Sequence, residues 1–126
     1  AIFGILGTAH LLFTFFTNKF NAFDKSVTEA MKSTSPVLTK ETTMWHAWIG
    51  FNASHSLGAM LVAAFYIPLV VTNMAFIRES MWFSILPVFI GVTYLVLAKK
   101  YWFKIPFIGI FISTICFTGA AILINT

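Results

Sequence analysis

Apolar residues run along this chain in long unbroken stretches, and every charged side chain falls in one of three clusters: Lys19 to Glu41, Arg78 with Glu79, and Lys99 to Lys104. Four charge-free stretches remain, 1–18, 42–77, 80–98 and 105–126, which are 18, 36, 19 and 22 residues long. A helix needs about 20 apolar residues to cross the hydrocarbon core of a bilayer. Each stretch therefore predicts one crossing. The 36-residue stretch has no central turn and halves too short to span separately, so it predicts one long helix with Pro68 near its far end and Thr72-Asn73 leading out. The expected fold is all-α, a single integral membrane bundle of four transmembrane helices, with spans at about 1–18, 44–70, 80–98 and 105–125.

Composition points the same way. The chain is 59% hydrophobic and 10% charged, against roughly a quarter charged in a soluble domain. A soluble fold of 126 residues would have to expose most of its 15 phenylalanines, because small domains bury only about two-thirds of the unfolded surface. The single cysteine, Cys116, permits no intramolecular disulfide and reads as a small packing group. Residues 1–17 read as a span rather than a signal peptide, since they lack a basic leading region and a small-x-small cleavage site.

Loops facing the cytoplasm carry an excess of Lys and Arg. Loop 1, residues 19–43, holds Lys19, Lys25, Lys32 and Lys40, and loop 3 holds Lys99, Lys100 and Lys104, whereas loop 2 holds Arg78 alone. With four spans, loops 1 and 3 share a side. That places both termini on the outer side of a bacterial inner (plasma) membrane. The positive charge then reads as an orientation signal with affinity for anionic lipid rather than for nucleic acid. Trp45, Trp48, Trp82 and the pair Tyr101-Trp102 fall at span edges, where an apolar ring and a polar N–H or O–H are both satisfied.

Within loop 1, Ser26-Val27-Thr28-Glu29 has the form of a capping box and predicts a short helix to about Ser33, with Pro36 beyond it. Two readings of this helix stand side by side. It is interfacial, with Val27, Ala30 and Met31 toward the bilayer and Lys25 and Lys32 among head groups, or it is a solvated connector.

Polar groups inside a span are costly and mark where function is to be sought. At 100° per residue, span 2 places Trp48, Asn52, His55, Ser56, Ala59 and Tyr66 on one stripe, with His46 opposite, and span 1 aligns Gly7, His10, Thr14 and Thr17. If the two spans are antiparallel neighbours, His10 and Asn52 lie level, about 12 Å deep at 1.5 Å per residue, and His55 lies slightly deeper. A network of His10, Asn52 and His55, with Thr14 and Ser56 as further partners, is the expectation. Such groups commonly glue helices together. A haem held by His10 and His55 is a second reading, since neutral imidazoles on facing helices can serve as axial ligands. No metal site is expected, and no Asp or Glu lies within a span to complete a catalytic or proton-relay set.

Gly50, Ser54 and Gly58 form a small-xxx-small row on span 2, and Gly109, Ser113, Cys116 and Ala120 form one on span 4. Both predict helix-packing seams, since small residues let backbones approach closely in lipid. Pro68 and Pro87 each remove a helical donor, freeing the carbonyls of Ala64 and Phe83.

The segment Trp48-Ile49-Gly50-Phe51-Asn52-Ala53-Ser54-His55-Ser56-Leu57-Gly58, with Leu11–Phe16, Glu29–Lys32 and Lys99–Pro106, resembles a family of small bacterial four-span membrane proteins of unassigned function that carry a GFNxSHSLG-like motif. The resemblance implies the four-span architecture and singles out Asn52 and His55 without giving them a task.

Small size, minimal loops and an incomplete catalytic set point to a non-catalytic accessory or assembly subunit that joins other membrane subunits, for instance in an electron-transfer (respiratory) complex. The alternatives are a redox-active protein binding haem through His10 and His55, and a small-molecule transporter or lipid-handling enzyme with a pocket lined by Trp48, Asn52, His55 and Tyr66.

Overall fold

A computed structural model describes all 126 residues. The chain is all-α, 81% helical and without strands. Six helices follow one another: α1 (Ile2–Phe16), α2 (Lys25–Ser33), α3 (Met44–Thr72), α4 (Met74–Glu79), α5 (Met81–Tyr101) and α6 (Lys104–Asn125). Helices α3, α5 and α6 are long and apolar enough to cross a membrane. Only 17% to 22% of their most apolar windows is buried within the chain. Faces so apolar and so exposed suit lipid as the surrounding solvent, and a helix satisfies every backbone amide within itself there. The chain is thus an integral membrane protein by the character of these helices. Helix α1 is equally apolar but has 15 residues, below the length at which a crossing follows from length alone.

Residues 44–72 of the long charge-free stretch form α3 without interruption, as the lack of a central turn predicts, and Pro68 lies within the helix rather than ending it. The six residues of α4 were not anticipated. Asn73 opens α4 by accepting the Phe76 amide on its side chain, so the residue expected to lead the chain out of the membrane is a helix cap.

The chain divides into two compact units, residues 7–60 and residues 1–6 with 61–126. In the first unit α1 and α3 approach closely at Gly7. A Cβ there would fall 2.8 Å from the Ser56 carbonyl oxygen and 3.2 Å from the Ala59 Cβ. Ser56 is the most completely buried side chain of the fold, at 0% exposure. Loop 1 folds back on this unit: the Ala22 amide donates to the buried Thr28 hydroxyl, and the Met44 amide donates to the Thr34 carbonyl at 2.8 Å.

One expectation is corrected by the fold, and another finds no partner within the chain. Helix α2 is capped by Asp24, whose carboxylate accepts both the amide and the hydroxyl of Ser26, so the capping residue lies two positions before the expected Ser26. The physical reason is that a carboxylate is as strong a cap as a serine hydroxyl and comes first in the chain. In the row of Gly50, Ser54 and Gly58, the first two residues do not pack within the chain. Gly50 and Ser54 are exposed, and a Cβ at Gly50 would meet nothing within 4 Å. At 100° per residue the buried stripe of Ser56, Ala59 and Ala63 runs along the opposite face of α3.

In the second unit α5 and α6 are antiparallel neighbours, linked at their far ends by Asn125 donating to the Ser84 hydroxyl at 2.9 Å. Gly91 of α5 lies against Thr114, where a Cβ would come within 2.8 Å of its hydroxyl oxygen. The expected α6 seam holds at Gly109 and Ser113: Gly109 receives Leu6, and Ser113 is buried. It stops there, because Cys116 and Ala120 are exposed and so do not pack within the chain. Phe3 closes the core of this unit, with ring contacts to Tyr94 at 5.2 Å and to Phe117 at 5.7 Å.

Candidate functional site

The polar groups of residues 7–60 converge as their spacing predicts. His10 lies two turns below the end of α1, and its Nε2 is 2.9 Å from the Asn52 Oδ1 of α3. The Asn52 amide nitrogen donates in turn to the Trp48 carbonyl at 2.8 Å, one turn earlier in its own helix. These two bonds fix the chemistry of the pair. Because the NH2 end of Asn52 is directed at a carbonyl, its oxygen faces His10, and His10 must present an Nε2–H donor. In the neutral ring Nδ1 is then the acceptor position.

His55, one turn further along α3, meets His10 edge to face with ring centroids 5.5 Å apart. The other side of His10 is covered by Phe20, whose ring lies 4.4 Å away. Phe20 is held by its own backbone, since its carbonyl accepts the Trp48 indole N–H at 3.1 Å. Sequence reasoning missed Phe20. It lies in irregular backbone just past α1, where no helical period assigns a side chain to a face. The only available signal is that Trp48 stands on the polar stripe with an indole N–H needing an acceptor.

Thr14 and Ser56 are close to this cluster in sequence register but do not join it. The Thr14 hydroxyl donates to the His10 carbonyl and that of Ser56 to the Asn52 carbonyl, each at 2.8 Å and each within its own helix. A hydroxyl four residues beyond a carbonyl reaches it at no cost in helix geometry, and this local bond competes successfully with any partner across the interface. His46 is exposed on the opposite face of α3 from His55, so the three histidines do not meet at one point.

The arrangement can be tested against the chemistries considered for it. Two imidazoles in direct edge-to-face contact leave no slot for a flat macrocycle between them. His10 also has Nε2 engaged by Asn52, so Nδ1 is its remaining ring nitrogen. The residues therefore do not fit a haem held between His10 and His55. The hydrogen-bonding groups of Trp48, Asn52 and Tyr66 each have a partner within the chain. The Trp48 indole and both ends of the Asn52 amide are engaged as described, and the Tyr66 hydroxyl donates to the Phe83 carbonyl at 3.1 Å.

A groove of about 330 Å³ runs along α5 and α6, lined by Leu95, Phe111, Thr114, Ile115, Thr118 and Gly119. Its two hydroxyls, on Thr114 and Thr118, donate to the carbonyls of Ile110 and Thr114, so the groove offers an apolar wall without aimed polar groups. Outside the spans, the one ion pair joins Lys32 to Glu29 at 2.8 Å, and the Lys32 ammonium lies 5.8 Å from the centre of the Trp45 ring. Hydrogen bonds from Ser26 hold the Asp24 carboxyl below its ordinary range.

No protein family, curated protein or solved structure matches the chain.

Proposed function

We propose that this protein is a small, non-catalytic accessory or assembly subunit of a larger membrane complex, of the kind found in electron-transfer chains. The observation that carries this reading is the outward face of α3. Gly50 and Ser54 are exposed, and space is open around the position a Gly50 side chain would take. Helices in lipid gain little by merely hiding apolar surface and associate through close backbone approach, for which such a row is suited. A packing face with no partner inside the chain calls for one outside it. The hydroxyls of Thr14, Ser54, Ser56, Ser113, Thr114 and Thr118 support the reading further, since each donates to a carbonyl of its own helix instead of pointing at a reaction site.

In this reading the chain crosses a bacterial inner membrane four times, with loops 1 and 3 in the cytoplasm and both termini outside, as the seven lysines direct. Helix α1, at 15 residues, rises about 22 Å. It makes the fourth crossing by local thinning of the bilayer, at a cost of fractions of a kcal/mol per ångström of mismatch. The likeness of residues 48–58 to the GFNxSHSLG-like motif of small four-span proteins agrees with this plan.

The test is co-purification from native membranes in mild detergent. The wild-type chain is expected to bring larger membrane subunits with it, and Gly50→Leu is expected to lose them while the isolated variant stays folded. Recovery of the wild-type chain only as a monomer or homodimer would overturn the proposal.

A further inference from the structure

Loop 1 is tied to one particular level of the fold. The Phe20 carbonyl accepts the Trp48 indole N–H, the Lys32 ammonium sits over the Trp45 ring, and the Thr34 carbonyl accepts the Met44 amide. All three attachments are to the first five residues of α3, where Trp45 and Trp48 occupy the span edge that tryptophan favours. A loop anchored there near its beginning, at Phe20, and in its middle, at Lys32 and Thr34, lies along the head-group layer instead of projecting into water.

At that level loop 1 displays apolar side chains that nothing in the chain covers. Phe23 and Val37 are each 107% exposed and Leu38 94% exposed. They flank α2, Phe23 immediately before its Asp24 cap and the other two directly after Pro36. Val27, on α2 itself, is less exposed, at 47%. The apolar contact surface is thus set by the residues beside the helix more than by the helix face.

The charges around these residues divide unequally. Asp24 is occupied in capping Ser26, and Glu29 is paired with Lys32. Lys25 and Lys40 are exposed, lie outside that ion pair, and stand two positions from Phe23 and Leu38 respectively. Glu41 is the acidic neighbour of Lys40. An apolar side chain with a long cationic one beside it is the pairing that suits the boundary between acyl chains and phosphates.

We propose that loop 1 is a membrane-surface docking element in which Phe23, Val37 and Leu38 insert beneath the lipid head groups while Lys25 and Lys40 reach their phosphates. The occupant of this surface is the head-group layer of the bilayer that the chain itself spans. The inference rests on the membrane reading of α3 and is independent of any partner subunit.

The experiment uses the full chain alone, in nanodiscs of phosphatidylcholine and phosphatidylglycerol, so partner binding does not enter. Phe23→Cys and Leu38→Cys, each in a Cys116→Ser background, are labelled with an environment-sensitive fluorophore. The expected result is blue-shifted emission quenched by lipids carrying a nitroxide near the head group and little affected by aqueous iodide. Quenching by iodide alone, or shielding from both quenchers as at a protein contact, would overturn the proposal. A second measurement does not depend on the labels. Phe23→Ser with Leu38→Ser, at unchanged helix content, is expected to speed trypsin cleavage after Lys25 and Lys40 in nanodiscs, and an unchanged rate would equally overturn it.

Discussion

The Tyr66 hydroxyl donates a 3.1 Å hydrogen bond to the carbonyl of Phe83, the one carbonyl of α5 that Pro87 leaves without its helical amide. A residue of α3 thereby repairs a defect in α5, and the proline and the tyrosine become parts of one interaction. Tyr66→Phe is expected to destabilise the fold by about 0.6 kcal/mol, and by no more than about 1.7, the range of hydrogen bonds between membrane helices. In a Pro87→Ala background position 87 regains an N–H for Phe83, and the same substitution should cost little. A double-mutant cycle on reversible unfolding in mixed micelles measures the difference, and equal costs in the two backgrounds would refute the coupling.

Gly7 and Gly50 are expected to behave oppositely. A methyl group at Gly7 meets a backbone carbonyl at 2.8 Å and the Met60 Cγ at 3.0 Å, so Gly7→Ala forces α1 and α3 apart and should cost about 1–3 kcal/mol. Gly50→Ala enters open space and should leave the isolated chain within about 0.5 kcal/mol of wild type. Thermal unfolding of the two variants in one detergent makes the comparison.

The tautomer of His10 follows from the direction of the Asn52 amide. Nitrogen-15 NMR of the folded chain should find His10 protonated at Nε2 and bare at Nδ1. In Asn52→Leu the acceptor is lost, and the two tautomers should become more nearly balanced. A native Nδ1–H tautomer would contradict the proposed direction of the bond.

Much of this was legible in the residues. Gaps between charges located α3, α5 and α6, because a chain in lipid has no alternative to satisfying its own amides. The matching depths of His10 and Asn52 foretold a real contact, since helical rise converts residue counts into distance. Pro87 also foretold an orphan carbonyl at Phe83. Which group would repair it could not be read, because Tyr66 reaches Phe83 through the packing of two helices rather than along one. Gly50, Ser54 and Gly58 show the limit most clearly: a small-residue row suits close packing, without saying whether a partner belongs to the same chain. Asp24 and Asn73 were missed for a simpler reason, that several polar residues near a helix start compete to cap it.

The cap of α2 carries a pH dependence. Ser26 hydrogen bonds favour the Asp24 carboxylate, so its carboxyl in the fold is more acidic than the ordinary 3.8 of an aspartate. A carboxyl lowered in the fold contributes stability above its unfolded value and loses it as the pH falls through the folded one. The amide signal of Ser26 should therefore hold steady from neutral pH down to about 4 and shift only at more acid pH. Asp24→Asn should abolish this titration while keeping much of the cap. A midpoint above the ordinary aspartate value would contradict the assignment.

The path of the chain through the bilayer underlies every inference about faces and partners. It is tested most directly by cysteines introduced one at a time at Lys32 and at Lys99, with Cys116→Ser, and probed with an impermeant thiol reagent on intact cells and on inverted membrane vesicles. Four crossings predict that both positions react only in the inverted vesicles. Reaction of one from each side would contradict the arrangement.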